Sequence, residues 1–420
     1  MMSGWGRGFS ADLHLHSRYS GGTSSLMEVD LLSQQALLKG LSLVGTGDIL
    51  HPLWRREIRE KLREVEEGTL EHPRYGVRFL LTAEVEDDRK VHHLLLFPSF
   101  SAVEELAEKL SSRAEGLEKE GRPRLRLPPP ELAEMALSAG CLVGPAHAFT
   151  PWTSLYKEFD SLRECYSDLA DRIPFLELGL SADTEMADRI SELSRLTFLS
   201  NSDSHSPWPE RLGREFNRFD IPEPTFEEVR KAVERRGGRR ISLNVGFDPR
   251  LGKYHRTACS RCFRQFELRR AEELGWRCED CGGWIKKGVW DRVNELADRS
   301  QPLSPPHRPP YLRVAPLAEI LALAKGGGVR DPEVRETWRR LVERFGSEIE
   351  VLVDVPGEEL EEVAGEEISA LILAFRRQEL IVLPGGGGRY GRLQLPPHLC
   401  RGQRTLAEFS SAREGGDRAW

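Results

Sequence analysis

The 420-residue sequence contains no run of about 18 consecutive apolar residues, so nothing in it reads as a membrane-spanning helix. Its first ten residues, Met1 to Ser10, lack the apolar core of a secretion signal. Cysteine is too sparse for a disulfide scaffold, at 7 residues in the whole chain. Four of the seven form two CxxC pairs, while Cys141, Cys165 and Cys400 stand alone. In a reducing compartment the paired set reads as metal binding and the lone ones as packing residues. There is no G-x-S-x-G elbow, and Gly45-Thr46-Gly47 is too slight a pattern for a nucleotide loop. A general excess of positive charge is also missing: the formal net charge is −7, which argues against a nucleic-acid coat protein. The expectation is a cytoplasmic protein, associated with the nucleoid if it acts on DNA.

What is present is the composition of a globular chain, 39% hydrophobic and 30% charged, long enough for two or three domains. Short apolar runs at Ser42–Val44, Arg78–Leu81, His93–Phe97, Cys141–Gly144, Phe175–Leu178 and Leu196–Leu199 predict strands. Helical patterns at Leu53–Glu67, Val103–Arg113, Pro130–Ala139 and Ala182–Arg195 lie between them. This alternation predicts an α/β layer or barrel with parallel strands over residues 1–245. A cysteine module follows over 246–300. A Pro-rich linker, Pro302–Pro310, then leads to a mainly helical domain at 301–400, with helices predicted at Ala315–Ala324, Pro332–Phe345 and Gly365–Gln378. Residues 401–420 read as a flexible tail.

Chemistry gathers at the strand ends. Asp12-Leu-His14-Leu-His16-Ser, Thr46-Gly-Asp48-Ile-Leu-His51-Pro, Ala83-Glu84, Val91-His-His93, Gly144-Pro-Ala-His147 and Ser202-Asp203-Ser-His205 each sit at or just after an apolar run. His and carboxylate are ligands for zinc, manganese or iron. The H-x-H pair puts both imidazoles on one face of a strand, because strand side chains repeat with period two. A single histidine is more often a packing or surface residue than a ligand. His72, His307 and His398 take that reading, as does His92, since His93 is the better match to the pattern.

These segments resemble the motifs of the PHP (polymerase and histidinol phosphatase) superfamily of metal-dependent phosphoesterases, over about the first 240 residues. The resemblance implies a distorted (β/α)₇ barrel holding two or three divalent ions, Zn, Mn or Mg. It places His14, His16, Glu84 and Asp203 on one ion. Glu84 bridges to a second, held by His93 and His147, and His205 joins Asp48 or His51 on a third. Asp203, Glu84 and His205 are the implied catalytic groups. The chain departs from the pattern in two places. Two residues separate Asp48 from His51, and Gly21 and Gly22 stand where a further ligand is common.

Cys259-x-x-Cys262 and Cys278-x-x-Cys281, fifteen residues apart, have the spacing of a closed tetrahedral zinc site, which is structural because it leaves no open position. Basic residues and tryptophans surround it: Lys253, Arg256, Arg261, Arg264, Lys286, Lys287 and Trp284 are candidate DNA contacts. From Asp248 to Ala315 there are 14 Lys plus Arg against 9 Asp plus Glu, a local net of +5. The order barrel, zinc module, helical domain, with Asn244-Val-Gly-Phe-Asp-Pro-Arg-Leu-Gly-Lys-Tyr-His and Pro384-Gly-Gly-Gly-Gly-Arg-Tyr-Gly, resembles the endonuclease Q family across nearly the whole chain. The implied activity is a nick on the 5′ side of a deaminated base (hypoxanthine, uracil, xanthine) or an abasic site in DNA. Phe149, Trp152 and Tyr156, just after His147, are candidates to stack on an extruded base, with packing as the alternative. Gln403, Leu406 and Phe409 resemble a sliding-clamp docking motif. The rival readings are a small-molecule phosphatase on the same barrel and a DNA-damage adaptor that has lost catalysis.

Overall fold

The computed structural model describes residues 8–394. Its strands run in chain order as β1 (Phe9–Asp12), β2 (Leu43–Gly45), the hairpin β3 (Arg63–Glu66) and β4 (Thr69–Glu71), β5 (Arg78–Glu86), β6 (His92–Phe97), β7 (Leu142–Pro145), β8 (Phe175–Glu177) and β9 (Thr197–Leu199). All six expected apolar runs fall on strands. β1, β2 and β5 pair in parallel, β6 pairs antiparallel with both β5 and β7, and β8 pairs in parallel with β9. The Ala148 N–H donates to the Glu177 carbonyl, joining β7 to β8. Closure comes past β9, where Leu15 and Ser204 form a parallel bridge. These contacts make a seven-stranded ring, with helices such as Val29–Lys39, Phe100–Ser111 and Pro129–Ser138 between successive strands.

The expectation of wholly parallel strands fails at β6. The segment joining it to β5 is a tight turn in which Asp87 Oδ1 accepts the N–H groups of Arg89 and Val91, with Lys90 at φ +66°. A turn that short can only reverse the chain, since a parallel return needs a crossover of a dozen residues or more. β6 is buried along its whole length, as an internal strand with apolar side chains on both faces must be. The expected helix Leu53–Glu67 also stops early, at Lys61. Gly68, at φ +71° and pressed against the Pro98 carbonyl, turns the following residues into the β3–β4 hairpin.

Beside the ring, β10 (Phe216–Asp220) pairs antiparallel with β1 and with β11 (Arg240–Gly246). The zinc module holds a short ribbon, β12 (Ala258–Cys259) with β13 (Ile285–Lys286). β14 (Tyr311–Arg313) then returns to pair in parallel with β11, and β15 (Ile381–Leu383) forms a ribbon with β16 (Arg392–Gln394). The helices Leu317–Lys325, Pro332–Phe345 and Glu366–Arg376 match the expected ones; Gly357–Ala364 was not anticipated. Leu317, Ile320, Leu341 and Ile372 from these helices share one buried cluster with Leu32, Val44 and Trp54 of the barrel. Lys39 and Glu348 form a buried ion pair of 2.7 Å across that contact. Among the described residues no helix is long and apolar enough to cross a membrane.

Candidate metal centre and nucleic-acid interface

The ends of β1, β5, β6, β7 and β9 bring their acids and imidazoles together. His14 Nε2 lies 3.6 Å from both Glu84 Oε1 and Asp203 Oδ1. His16 Nε2 lies 3.3 Å from Glu84 Oε2 and 3.1 Å from Asp203 Oδ1. On the other side of Glu84, Oε1 stands 2.7 Å from His147 Nε2 and 2.8 Å from His92 Nδ1. Two groups therefore form, His14/His16/Asp203 and Glu84/His92/His147, each with ligand atoms close enough to share one ion. Glu84 touches both. His205 packs against His16 with ring centroids 4.5 Å apart.

Whether the residues fit cations can be tested on the polar atoms themselves. His14 Nε2, His16 Nε2 and Asp203 Oδ1 are buried with no hydrogen-bond partner. They converge on one spot without the alignment a hydrogen bond needs, an expensive arrangement unless an ion is shared there. The backbone agrees: His147 and Asp203 take positive φ, +28° and +48°, which is strain held by the surrounding structure at the site itself. Burial alone would lower the pKa of His14 and His16, but the carboxylates around them push both well above the ordinary imidazole range. Burial would likewise raise Glu84 and Asp203, yet the neighbouring imidazoles hold both well below the carboxylate range. The carboxylates here thus favour positive charge among the imidazoles, the charge a divalent ion would supply. Burial and repulsion from His16 hold His205 down to about 4, leaving a neutral imidazole beside the cluster. The donor set fits two divalent ions.

Three expected ligands are placed elsewhere. His93 points to the opposite face of β6, its Nδ1 2.8 Å from the Tyr166 hydroxyl and its Nε2 2.9 Å from Asp87. The period of two that separates neighbouring strand residues gives the inward position to His92 instead. Asp48 stands behind His16: its Oδ1 lies 3.0 Å from His16 Nδ1, and its Oδ2 accepts from the Ser17 N–H and the Ser17 and Ser20 hydroxyls. It orients a ligand rather than reaching the cluster. His51 caps the helix Pro52–Lys61, stacks on Tyr19 at 4.4 Å and meets the Glu118 carbonyl through Nε2. The two-residue spacer after Asp48 sends this imidazole into the cap.

Sequence reasoning missed two further groups. Glu177, at the end of β8, stands within 2.9 Å of His14 Nδ1 and accepts the His147 N–H and the Asn201 amide. It was a lone acid ending an apolar run, a signal visible but not read. Arg122 reaches Glu84 Oε2 at 3.1 Å from a loop between two helices, where nothing in the sequence marked it.

In the cysteine module the four sulfurs converge, with Cys259–Cys281 at 3.4 Å and Cys262–Cys278 at 3.6 Å. These separations suit one tetrahedral ion. Gly283 is required here, because a Cβ would sit 2.8 Å from the Cys259 sulfur. Trp284 is 52% exposed, with the Arg277 guanidinium stacked over it at 3.4 Å. Among the other candidate DNA contacts, Arg264 pairs with Glu279 and Asp280, Lys287 with Glu295, Arg261 donates to the Cys281 carbonyl, and Lys253 lies over Tyr390. Arg256 bridges to Gly386 through its backbone, and Lys286 is exposed on β13. Of the three aromatics after His147, Phe149 and Tyr156 are buried and stacked on each other; Trp152 is 56% exposed and meets Tyr254 edge-on. Gln403, Leu406 and Phe409 lie outside the described residues.

Fold and centre together define an α/β barrel carrying a two-group His/carboxylate centre with the donors for divalent ions, joined to a Cys₄ module. The chain belongs to the endonuclease Q family. It superimposes on the crystal structure of the lesion-specific endonuclease of Pyrococcus furiosus with a TM-score of 0.91 and 52% identity, covering 94% of this chain and 98% of that one. An endonuclease Q bound to a 27-mer duplex with an abasic lesion at its active site aligns with a TM-score of 0.87, at the same identity and coverage. Protein YqxK of Bacillus subtilis is 31% identical over 405 residues, covering 91% of this chain and 98% of its own length. Protein MJ0043 of Methanocaldococcus jannaschii is 46% identical over 256 residues, and the matched part is 60% of this chain but only 32% of that longer protein. Residues 316–379 match the MJ0043 C-terminal domain family.

Proposed function

We propose that this chain is a metal-dependent endonuclease that nicks DNA at a damaged nucleotide. The observation that carries the reading is Glu84, one buried carboxylate touching both ligand groups. Two divalent ions, Zn, Mn or Mg, held by His14, His16, Asp203, Glu84, His92 and His147, would neutralise a phosphodiester and activate water for in-line attack. Water oxygen adds to phosphorus, the P–O3′ bond breaks, and the proton from water ends on O3′. The products carry a 3′-hydroxyl and a 5′-phosphate. Asp48 and Glu177 orient His16 and His14 through their Nδ1 atoms, and His205 stands beside the cluster as a neutral imidazole able to exchange a proton.

The substrate class follows from the surroundings and the relatives. An endonuclease Q whose structure holds an abasic lesion supports damaged duplex DNA as partner. Exposed Trp152, on the loop after His147, and Trp284, in the zinc module, offer faces on which bases can stack. Damaged and mismatched nucleotides cost least to extrude from the helix. We include hypoxanthine, uracil and xanthine among the lesions, with the nick on their 5′ side. The Cys₄ module holds a structural zinc, and the tail offers a sliding clamp its docking motif at Gln403, Leu406 and Phe409.

The test is a labelled duplex with one central deoxyinosine or abasic site, incubated with Mn²⁺ or Mg²⁺ beside an undamaged control and an Asp203→Asn variant. A single nick 5′ of the lesion, absent from the control and the variant, is the expected result. Intact lesion DNA under every metal tried, with hydrolysis of a small phosphate monoester, would leave the phosphatase reading in its place.

A further inference from the structure

The residues between the helices Phe100–Ser111 and Pro129–Ser138 form a strap beside the ligand groups, and it is anchored on both sides of Arg122. On one side the Gly121 N–H donates to the Tyr19 carbonyl, and Glu120 accepts the Gly21 N–H at 2.8 Å. On the other side the Glu86 N–H donates to the Pro123 carbonyl and the Leu125 N–H to the Glu86 carbonyl. The approach at Gly121 is close enough to exclude any other residue: a Cβ there would lie 2.4 Å from the Ser20 hydroxyl and 2.5 Å from Asp48 Oδ2. The strap is thereby fixed against the H-x-H loop on one flank and the end of β5 on the other. Arg122 stands between, its side chain 27% exposed and its Nη1 on Glu84 Oε2.

We propose that Arg122 is a catalytic residue that binds the phosphate undergoing cleavage. The inference rests on the phosphodiesterase reading above. Glu84 is the carboxylate that touches both ligand groups, and Arg122 meets its Oε2, the oxygen 3.3 Å from His16 Nε2, so the guanidinium borders the place a phosphate drawn to both ions would occupy. Among the described residues, Arg122 is the one Lys or Arg side chain with an ion pair to Glu84 or Asp203. A cation held by Glu84 would compete with Arg122 for that carboxylate and leave the guanidinium available to an incoming anion. Its donor fork matches two phosphate oxygens, and its anchored strap pre-pays the cost of placing it. Arg124 and Arg126 follow, 68% and 78% exposed, and pair with Glu86 and Glu115.

The alternative role for Arg122 is to neutralise Glu84 and hold the centre together, and the experiment separates the two. Affinity for inorganic phosphate is measured by calorimetry on the Mn²⁺-loaded protein, for wild type, Arg122→Met and Arg122→Lys, with Mn²⁺ stoichiometry and Tm recorded for each. The expected result is a loss of phosphate affinity of at least tenfold in Arg122→Met at unchanged Mn²⁺ content and Tm, with part restored in Arg122→Lys. On lesion DNA kcat should fall by roughly 10²–10³-fold, the usual cost of removing one such donor. Phosphate affinity unchanged in Arg122→Met, or lost only in step with Mn²⁺, would overturn the proposal. Should Arg122→Met not fold, Arg122→Lys decides alone: affinity equal to wild type overturns it, and weakened affinity at full Mn²⁺ content supports it. A wild type that binds phosphate through Arg122 but leaves lesion DNA intact sustains this inference and removes the nuclease reading.

Discussion

Neighbouring histidines on β6 have opposite duties, and the difference is testable at single residues. His92 faces Glu84 and His147; His93 faces Tyr166 and Asp87. His92→Ala should lower the Mn²⁺ content by one ion per chain at nearly unchanged Tm. His93→Ala should keep the ions but destabilise by about 1–3 kcal/mol, because it leaves a buried carboxylate and hydroxyl unpaired. Metal analysis and thermal melts on both variants read this out. The opposite outcome would restore the ligand set expected from the motif. A second residue sets a pH dependence. Burial pushes Glu215 up to about 8, although the Phe247 N–H donates to its Oε1. Below about pH 4.5 the carboxyl is protonated in both states and its contribution to stability is complete. As pH rises toward 8 the unfolded chain releases the proton while the native state retains it, so stability is lost across that window. Glu215→Gln should flatten the fall in urea midpoint between about pH 5 and pH 8. An equally steep fall in the variant would locate the titration elsewhere.

At the scale of elements, the zinc module is the part that cannot stand by its own packing. Its apolar cluster is Cys259, Phe266, Ala271, Cys278 and Ile285, too few residues to hold a fold without the ion. Cys262→Ser should therefore remove one zinc per chain and raise the Kd for lesion DNA at least tenfold. The Mn²⁺ content of the barrel should not change, since none of these four cysteines belongs to its two ligand groups. Loss of the barrel ions in the same variant would mean that the two centres fold as one. The cysteine quartet was legible in the sequence, because each CxxC pair is written within four residues and only fifteen residues separate the two. The β5–β6 hairpin was half legible. Its two apolar runs were read correctly, but the direction of the second depends on the Asp87 turn between them.

For the molecule as a whole, the C-terminal helices are built into the barrel. Glu348 accepts from Lys39 on the barrel's first helix, from the Leu317 N–H and from the Trp338 indole. Lys39 also donates to the Pro209 carbonyl, in the loop that follows Asp203 and His205. Lys39→Met removes one partner of a buried ion pair and should cost about 3–5 kcal/mol, most of it the uncompensated Glu348 carboxylate. Chemical denaturation should show one transition moved to lower denaturant. Two separated transitions would mean that barrel and helices unfold independently, against the shared core of Leu317, Ile320 and Ile372 with Leu32 and Trp54.

The sequence by itself determined six of the seven strand positions of the ring, the cysteine quartet, and His14, His16, Glu84, His147 and Asp203 as one constellation. Each of these is written locally, in an apolar run, a spacing or a motif. Tertiary structure decided what depends on direction and long-range approach. It turned His92 inward and His93 outward, gave His51 to a helix cap, set Asp48 behind His16, and brought Glu177 and Arg122 to the centre. A side chain's duty there is fixed by which face of the strand it occupies and which distant segment meets it, and neither is encoded in the spacing of its neighbours.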